Sequence, residues 1–370
     1  MSAGFASSDT VAVAGAGPAG LSAALALARG GCPCVLYERG RVGGDIRCAE
    51  GVLDFAGVVP DVRPFVRTRV RRAFLTAGGE RFVFDLGRRS RFAVIDRADW
   101  QRDLARQVRD AGVNLREGAP ADPFDLAARH RWVVDARGRS AFPTFRGMPG
   151  AFGFGLQWTL EGDFTPWRDA LDVELVSDPP GYFWIFPKGD RVAHAGFGRL
   201  VTGGPLANAW ALLEDFLRRR GIDGARKLRK AGGWMPLHPC RPLVEGNVLR
   251  VGDAGAFASP LHGGGIDGAW LSGEAAAAAI LDGRPEAFPA AVDRRIGLLR
   301  RVERHLLAGW EREGDAPILR AARRLQATGP LLKVSLRLFS SPGVAAAVRR
   351  ALGNERGNRY YGEWTTDEHG

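Results

Sequence analysis

Residues 11–20 read Val-Ala-Val-Ala-Gly-Ala-Gly-Pro-Ala-Gly, and this stretch constrains the fold more than any other part of the chain. Its four apolar residues predict a buried strand, and the alanine- and leucine-rich segment 21–29 predicts a helix. The glycines between them have the spacing G-x-G-x-x-G. The first permits a tight turn, the second lets the backbone approach a pyrophosphate, and the third lets helix and strand pack closely. The stretch therefore predicts a bound dinucleotide where the helix begins.

The first set of predicted cofactor contacts surrounds this turn. Glu38 follows the next apolar run, 33–37, at the place where an acid usually holds a ribose hydroxyl. Pro18 suits a first helical turn because its missing N–H would have no partner there. Glycine turns alone are common, whereas strand, glycines, helix, second strand and acid together are specific. The contacts assigned in this half of the chain are Gly15, Gly17, Pro18, Ala19, Gly20, Glu38, Arg39 and Arg97.

A second glycine-rich motif follows a predicted strand at 247–252. Asp253, at the end of that strand, is placed to bond a polyol, and the triplet 263–265 opens a predicted helix whose first turn can face a flat, electron-rich ring. The two motifs together describe a cofactor with a pyrophosphate, a ribose, a polyol and a ring, which is FAD rather than NAD. The contacts assigned here are Asp253, Pro260, Gly263, Gly264, Gly265 and Ile266.

Composition and charge limit the partners. The chain has 370 residues, 45% of them apolar and 25% charged, which is typical of a soluble globular protein. The net charge of +11 favours anionic partners such as phospholipid headgroups, diphosphates or an acidic electron carrier, and no nucleic-acid motif accompanies it. Four cysteines are too few for a disulfide scaffold, and no metal site is predicted. With no signal peptide and no uncharged apolar run of 18 residues, a cytoplasmic location is expected.

We predict an α/β fold with a Rossmann-like FAD-binding domain, an inserted antiparallel β-sheet substrate domain and a helical C-terminal region. After residue 150 the pattern changes to successive strands with little helix, as in 153–161 and 182–186. The predicted boundaries are 1–60, 92–150 and 245–285 for the discontinuous FAD-binding domain, 61–91 and 151–244 for the substrate domain, 286–353 for the helical region, and 354–370 for a tail.

An amphipathic pattern in the helical region predicts one apolar face, with arginines such as Arg300 elsewhere. Such helices suit peripheral contact with the inner membrane face, and a solvated arginine face explains the same pattern equally well. The apolar face comprises Ile296, Leu299, Val302, Leu306 and Trp310.

These motifs, in their order and separation, resemble the FAD-dependent geranylgeranyl reductase family (digeranylgeranylglycerophospholipid reductase-like), within the larger group similar to p-hydroxybenzoate hydroxylase. The segments 15–20, 135–140 and 252–266 are similar to that group's three FAD fingerprints. Arg137 stands where the middle fingerprint usually has an acid before Gly138.

Two further segments resemble motifs that, in this family, lie near the substrate and the flavin. Residues 182–187 with 196–198 resemble the family's Y-x-W-x-F-P…G-x-G motif, which lines the substrate cavity beside the flavin. Residues 47–51 resemble its R-C-x-E-G segment, with alanine where glycine is common. In that family the cysteine lies near the isoalloxazine ring, so Cys48 is the candidate catalytic proton donor. The implied substrate contacts are Tyr182, Trp184, Phe186, Pro187, Gly196 and Gly198.

The resemblance implies a reductase that saturates isolated C=C bonds of a prenyl (geranylgeranyl-type) chain on a lipid, a diphosphate or a prenylated metabolite. Hydride comes from N5 of reduced flavin, and a proton completes the addition. No second dinucleotide fingerprint is present, so the expected electron donor is transiently bound NADPH or a protein such as ferredoxin.

Two alternative functions remain at this point. An FAD-dependent monooxygenase or halogenase acting on an aromatic or secondary metabolite shares the FAD fingerprints. Halogenases carry a related W-x-W-x-I-P segment, from which Tyr182 and Phe186 differ. An electron-transfer flavoprotein is the other alternative, and its relatives typically add a cysteine-ligated iron–sulfur cluster, against which four scattered cysteines argue.

Overall fold

The computed structural model describes residues 10–54, 58–88, 90–142, 152–200, 208–239 and 241–328. The predicted helix start at Pro205, Cys240, the predicted helical segment 329–353 and the predicted tail 354–370 lie outside the described residues.

Sixteen strands lie within these ranges. They are β1 (Val11–Ala14), β2 (Cys34–Tyr37), β3 (Gly51–Leu53), β4 (Val66–Arg69), β5 (Arg72–Ala77), β6 (Glu80–Asp85), β7 (Phe92–Ile95), β8 (Asn114–Arg116), β9 (Trp132–Asp135), β10 (Phe152–Glu161), β11 (Ala170–Ser177), β12 (Pro180–Pro187), β13 (Val192–Arg199), β14 (Arg226–Pro236), β15 (Val244–Glu245) and β16 (Val248–Arg250).

Eight α-helices lie in the same part of the chain. They are α1 (Pro18–Arg29), α2 (Arg97–Asp110), α3 (Pro123–Ala127), α4 (Ala209–Arg219), α5 (Ile266–Leu281), α6 (Phe288–Val292), α7 (Leu298–Glu313) and α8 (Ala316–Thr328). A π-helical segment, Asp293–Gly297, connects α6 to α7. None of the described helices is long and apolar enough to cross a membrane.

The first sheet has the strand order β15-β16-β9-β1-β2-β8 and is parallel except for β15. Strand β1 lies inside the sheet and is buried on both faces, because its residues are apolar without alternation. Val11 and Val13 face the core that contains α1, α2 and α5, while Ala12 and Ala14 pack with Leu126 of α3. The parallel nucleotide-binding sheet predicted from the first motif is present.

Helices α1 and α5 pack with almost no space between their backbones. A Cβ atom at Gly273 of α5 would overlap the carbonyl oxygen of Ala19 in α1. The hydroxyl of Ser22 donates a hydrogen bond of 2.7 Å to the carbonyl oxygen of Trp270. Small residues therefore fix the distance between the two helices that follow the two cofactor motifs.

The second sheet has the order β14-β10-β13-β12-β11-β5-β6 and is antiparallel apart from the β11–β5 pair. Helix α4 covers one face, where Phe183 stacks between Phe197 and Phe216 at centroid distances of 4.4 and 4.8 Å. The opposite face of the sheet carries the aromatic side chains of β12 that the sequence assigned to the substrate. The predicted fold class, with a Rossmann-like part, an inserted sheet and C-terminal helices, is confirmed.

A third, small sheet has the order β3-β7-β4. The alternation of apolar and polar residues over 66–75 predicts a single half-exposed strand, but the segment forms two, because the chain passes from this sheet to the seven-stranded sheet at Val70 and Arg71. The Val70 N–H donates to the carbonyl oxygen of Phe92, and the Arg71 N–H donates to that of Asp169. The glycine-rich composition of residues 39–52 predicts a loop throughout, whereas the end of this segment forms part of strand β3.

Helix α7 departs from the predicted apolar face. Leu299 and Leu306 are 36% and 52% exposed, whereas Arg300 is buried. The π-helical segment before α7 shifts the register of the residues that follow. Arg300 is tolerated inside because its guanidinium lies 2.7 Å from the Glu303 carboxylate and donates to the carbonyl oxygen of Phe257 at 3.1 Å. The expectation that Arg300 lies away from the core was wrong.

Substituting Gly273 with alanine should lower the free energy of unfolding by about 1–3 kcal/mol, as added atoms in a packed interface usually do. Gly309→Ala in α7 is the matched control, since no described atom lies within 4 Å of its Cβ position. The control should raise stability by about 0.5–1 kcal/mol because alanine is the better helix former. Urea unfolding of the flavin-loaded variants, followed by circular dichroism, measures both. Equal effects at the two positions would contradict the packing interpretation.

Candidate active site and cofactor cleft

The three glycines of the turn after β1 have different roles. Gly15 has φ of +104°, and a Cβ there would overlap the carbonyl oxygen of Ala136. A Cβ at Gly20 would overlap the carbonyl oxygen of Gly15. Gly17 precedes α1 without a side-chain cap, and no described atom lies within 4 Å of its Cβ position. The turn is therefore closed by packing and open at the helix N-terminus, where Pro18 and Ala19 begin α1 and a phosphate can bind.

Glu38 lies at the end of β2 beside this turn. Its carboxylate accepts hydrogen bonds from the N–H of Ala16 at 2.9 Å and from the N–H of Gly40 at 3.0 Å, one on each oxygen. Each oxygen keeps acceptor capacity for a hydroxyl group. The neighbouring Arg39 donates to the hydroxyl of Ser140 at 3.0 Å, which connects β2 to the middle motif.

Arg97 is the first residue of α2 and is held near the turn through Gln101. Its Nε donates to the Gln101 side-chain oxygen at 2.8 Å, and the Gln101 amide donates to the carbonyl oxygen of Ala16 at 3.4 Å. The charge of Arg97 also acts on Asp253. A cation thus stands between the pyrophosphate position and the second motif.

Gly252 has no side chain, and this lets the chain at Asp253 lie beside α1. A Cβ at Gly252 would be only 2.9 Å from the Cβ of Ala19. Burial raises the pKa of the Asp253 carboxyl group, and Arg97 opposes that shift only in part. Within the described ranges this carboxyl group makes no hydrogen bond to another residue. A half-buried carboxyl group without a protein donor fits a site completed by the hydroxyls of a polyol.

The loop 259–265 joins the cofactor motif to the second sheet. The Ser259 N–H donates to the Gly264 carbonyl oxygen at 2.7 Å, which closes the loop before Gly265 and Ile266 begin α5. A Cβ at Gly263 would lie 2.7 Å from the sulfur of Met235 on β14. The buried Pro260 lies in the same loop.

Tyr182, Trp184 and Phe186 share one face of β12, here called the aromatic wall. Each stands opposite a residue of β13, in the pairs Tyr182–Gly198, Trp184–Gly196 and Phe186–His194. A Cβ at Gly196 would overlap the Trp184 indole, and one at Gly198 would lie 3.3 Å from it. The two glycines therefore make room for Trp184. Its Nε1 is buried and has no hydrogen-bond partner in the described part of the chain.

The Tyr182 hydroxyl donates to the carbonyl oxygen of His262 at 2.6 Å, which joins the aromatic wall to the loop 259–265. Burial raises the pKa of that hydroxyl, and the charge of nearby Cys48 raises it further. The wall, the loop and Cys48 therefore converge. Pro187 ends β12 and is buried. His262 was not found by sequence reasoning, because its backbone carbonyl rather than its ring makes this contact.

Cys48 lies in a loop held against the same face of the sheet. The Gln157 amide donates to the Cys48 carbonyl oxygen at 3.0 Å, and the Glu50 N–H donates to the Cys48 sulfur at 3.2 Å. A Cβ at Gly51 would lie 2.9 Å from the Phe186 ring. The thiol is free and half-buried. Among the described residues, no group of histidine, cysteine and carboxylate side chains could hold a metal ion.

A buried charged group anchors this loop, and we call Glu50, Lys188, His194 and Asp96 the Glu50 cluster. Glu50 has φ of +62° and lies 2.6 Å from Lys188 Nζ and 3.7 Å from His194 Nε2, while Asp96 lies 3.6 Å from Lys188. Burial alone would raise the pKa of Glu50, but His194 and Lys188 outweigh it and hold that pKa below its ordinary value. Sequence reasoning did not find this cluster, although Glu50 lies within the segment 47–51 and Lys188 directly follows the segment 182–187.

The cofactor motif and the fold agree with known flavoproteins. A family model described as an FAD binding domain matches residues 10–74. A digeranylgeranylglycerophospholipid reductase of Methanoculleus marisnigri is 28% identical over 305 residues, covering 72% of this chain and 75% of the relative. The enzyme of the same name from Methanocella arvoryzae is 29% identical over 303 residues, covering 72% and 76%.

Solved structures share the fold. A geranylgeranyl bacteriochlorophyll reductase-like protein from Thermoplasma acidophilum has a TM-score of 0.76 at 20% identity, covering 93% of this chain and 99% of that protein. A flavin-dependent brominase has a TM-score of 0.69 at 18% identity, covering 93% and 98%. The resemblance to the geranylgeranyl reductases is confirmed, and the chain is an FAD-dependent oxidoreductase with FAD as its cofactor.

Substituting Asp253 with asparagine should weaken FAD retention while stabilising the flavin-free protein at pH 7. A carboxyl group whose pKa is raised by folding destabilises the folded state once ionised, so this cost grows as the pH rises from the unfolded toward the folded pKa. Flavin fluorescence after dialysis and urea unfolding at pH 7 and pH 3 measure the two effects. Asp282→Asn, an exposed change at the far end of α5, is the control. A fully flavin-loaded Asp253→Asn protein would contradict the assignment.

Substituting Lys188 with methionine should lower the free energy of unfolding by about 3 kcal/mol at pH 7, because it leaves the Glu50 carboxylate buried without its cation. The loss should shrink as the pH falls through the depressed pKa of Glu50, since protonation removes the same ion pair. Lys227→Met breaks an exposed pair with Glu214 and should cost only about 0.2–1 kcal/mol. Equal losses in thermal or urea unfolding would show that the Glu50 cluster does not anchor the loop.

Proposed function

We propose that this FAD-dependent oxidoreductase saturates isolated C=C bonds of a prenyl chain carried by a lipid, a diphosphate or a prenylated metabolite. The relatives described above are named for the reduction of digeranylgeranylglycerophospholipids. The observation that carries the proposal is the convergence of an aromatic wall, a half-buried thiol and the loop of the second cofactor motif.

The aromatic wall suits an apolar chain rather than a polar ring. The Tyr182 hydroxyl is already occupied by the His262 carbonyl oxygen, so the ring presents its apolar surface. The Trp184 indole is held over two glycines and packs beside Tyr182 at a centroid distance of 5.6 Å. Because each buried methylene contributes about 0.8 kcal/mol, such a surface can hold a prenyl chain without recognising a head group.

The residues of the chain are proposed to bind the cofactor and to donate the proton. Bound, reduced FAD supplies the hydride for one alkene carbon. Gly17, Arg97 and Asp253 would bind and orient the cofactor, since they surround the cleft described above. Cys48 is the proposed proton donor to the other alkene carbon: its S–H bond breaks as the second C–H bond forms, and the Glu50 N–H remains bonded to the sulfur. Solvent then returns the proton to the thiolate.

Electrons reach the flavin from transiently bound NADPH or from a ferredoxin in this proposal. The basic net charge of +11 favours an acidic protein donor electrostatically.

Peripheral membrane contact is proposed through α7, whose exposed Leu299 and Leu306 lie among arginines. Such contact would admit a lipid substrate directly from a bilayer.

The reductase assay starts with the flavin reduced by dithionite under anaerobic conditions. Geranylgeranyl lipids and geranylgeranyl diphosphate are then added separately, and product masses are measured. A gain of two hydrogens per reduced bond is expected. Unchanged masses, with hydrogen peroxide or a hydroxylated or halogenated product once oxygen and an aromatic substrate are supplied, would replace the proposal by the monooxygenase or halogenase alternative.

Trp184→Leu should retain FAD and lower alkene reduction at least tenfold, because it removes the indole from the aromatic wall and leaves the cofactor motifs intact. Phe183→Leu is the matched control, adjacent on β12 but facing the core under α4. It should lower thermal stability while keeping turnover per flavin at temperatures below unfolding. Flavin content, melting temperature and product mass are measured for both. Loss of FAD from Trp184→Leu would contradict the assigned position of the wall.

A further inference from the structure

We propose that a cationic pocket at the edge of β14 binds the phosphate-type anion at the head of the substrate. This inference rests on the proposed function, since it supplies a head-group site for the same prenyl chain. We call the cavity the edge pocket. It has a volume of about 350 Å³, and its walls include Asp45, Arg47, Trp210, Arg229, Lys230 and Ala231.

The edge pocket contains three cations and one carboxylate. Asp45 lies between two of them, 2.8 Å from the Arg47 Nε and 2.8 Å from the Arg229 Nη2. The two guanidinium groups thus already converge on one pair of anionic oxygens, which is the geometry that a phosphate requires. A phosphate would add to this arrangement or displace Asp45 from it.

Lys230 gives the edge pocket its excess positive charge. Its ammonium lies 4.1 Å from the centre of the Trp210 ring, and no carboxylate among the described residues forms an ion pair with it. Trp210 therefore holds the ammonium in the pocket by a cation–π contact without neutralising it. The formal charge of the pocket is positive by two, from three cations and one anion.

Protection of an exposed strand edge is the competing explanation for basic residues on β14. It accounts for Arg226 and Lys227, which pair with Glu161 and Glu214. These two residues do not line the cavity. It does not account for excess positive charge concentrated around a concave site, so the cations of β14 that line the pocket and those that lie outside it have different roles.

The edge pocket wraps around the edge of the sheet: Ala231 lies on the face of the aromatic wall, whereas Lys230 reaches the pocket from the face that α4 covers, beside Trp210. Ala231 of the pocket pairs with Gln157, Gln157 pairs with Gly196, and Gly196 pairs with Trp184. Three strand spacings separate Ala231 from Trp184, which is about 14 Å. Arg47 precedes Cys48, whose carbonyl oxygen is bonded to Gln157 in the same row. An anionic head on the wall side of the pocket, beside Arg47 and Arg229, would place its chain within reach of the aromatic wall across the Cys48 loop.

Calorimetric titration of the flavin-loaded protein with inorganic pyrophosphate tests the pocket without any turnover. Lys230→Gln should weaken binding at least tenfold, and Asp45→Asn should strengthen it severalfold because a competing anion is removed. Arg226→Gln, on the same strand but outside the pocket, should change binding less than twofold. These opposite signs cannot arise from a general structural perturbation. Absence of pyrophosphate binding to the unsubstituted protein, or equal affinities in all variants, would overturn the proposal.

Steady-state reduction identifies the source of the anion. Lys230→Gln should raise KM at least tenfold for geranylgeranyl diphosphate, or for phosphatidylglycerol-type geranylgeranyl lipid in vesicles, and leave KM for geranylgeraniol unchanged. The affected substrate identifies the head group. Equal KM changes for the headed substrates and the alcohol would overturn the head-group role, leaving at most a site for free phosphate. No reduction of any of these substrates, with pocket-dependent pyrophosphate binding intact, would instead overturn the proposed function.

Discussion

The close packing of α1 against α5 is the constraint on which the cofactor site depends. Ala19, in the first turn of α1, touches both Gly252 after β16 and Gly273 within α5. A larger residue at any of these positions would separate the two motifs that must reach one cofactor. The same small residues that allow the turn therefore also set the distance between the pyrophosphate position and Asp253. The same small residues therefore determine both the packing of the two helices and the relative position of the two cofactor motifs.

A second constraint operates on the substrate side, where glycine again determines where an aromatic ring lies. Gly196 and Gly198 leave a flat surface on β13, and Trp184 fills it from the neighbouring strand. The indole is thereby held close against the backbone of β13. Within this motif, Gly196 and Gly198 therefore support the position of Trp184 in the aromatic wall.

Local signals made much of this structure predictable. The β1–α1 turn and the start of α5 follow from patterns carried by adjacent residues, and the structure has them where they were expected. Strand β14 was not predicted because its first half, Arg226 to Lys230, is charged without alternation and is a strand only through its pairing with β10. The burial of Arg300 was also missed, since it depends on a π-helical segment and on Glu303. The first miss depends on pairing between distant strands, and the second on a local change of helix type together with a distant contact to Phe257.

The loop from Asp45 to Gly51 connects the three chemical parts of the site. Its start contributes Asp45 and Arg47 to the edge pocket, its middle holds the Cys48 thiol, and its end is anchored by Glu50. A left-handed glutamate is an unfavourable backbone choice, and the buried ion pair with Lys188 offsets it. Because Lys188 directly follows β12, the aromatic wall and the thiol are fixed to each other by one charge pair. Head-group binding, chain binding and proton donation would then depend on one rigid loop rather than on three independent elements.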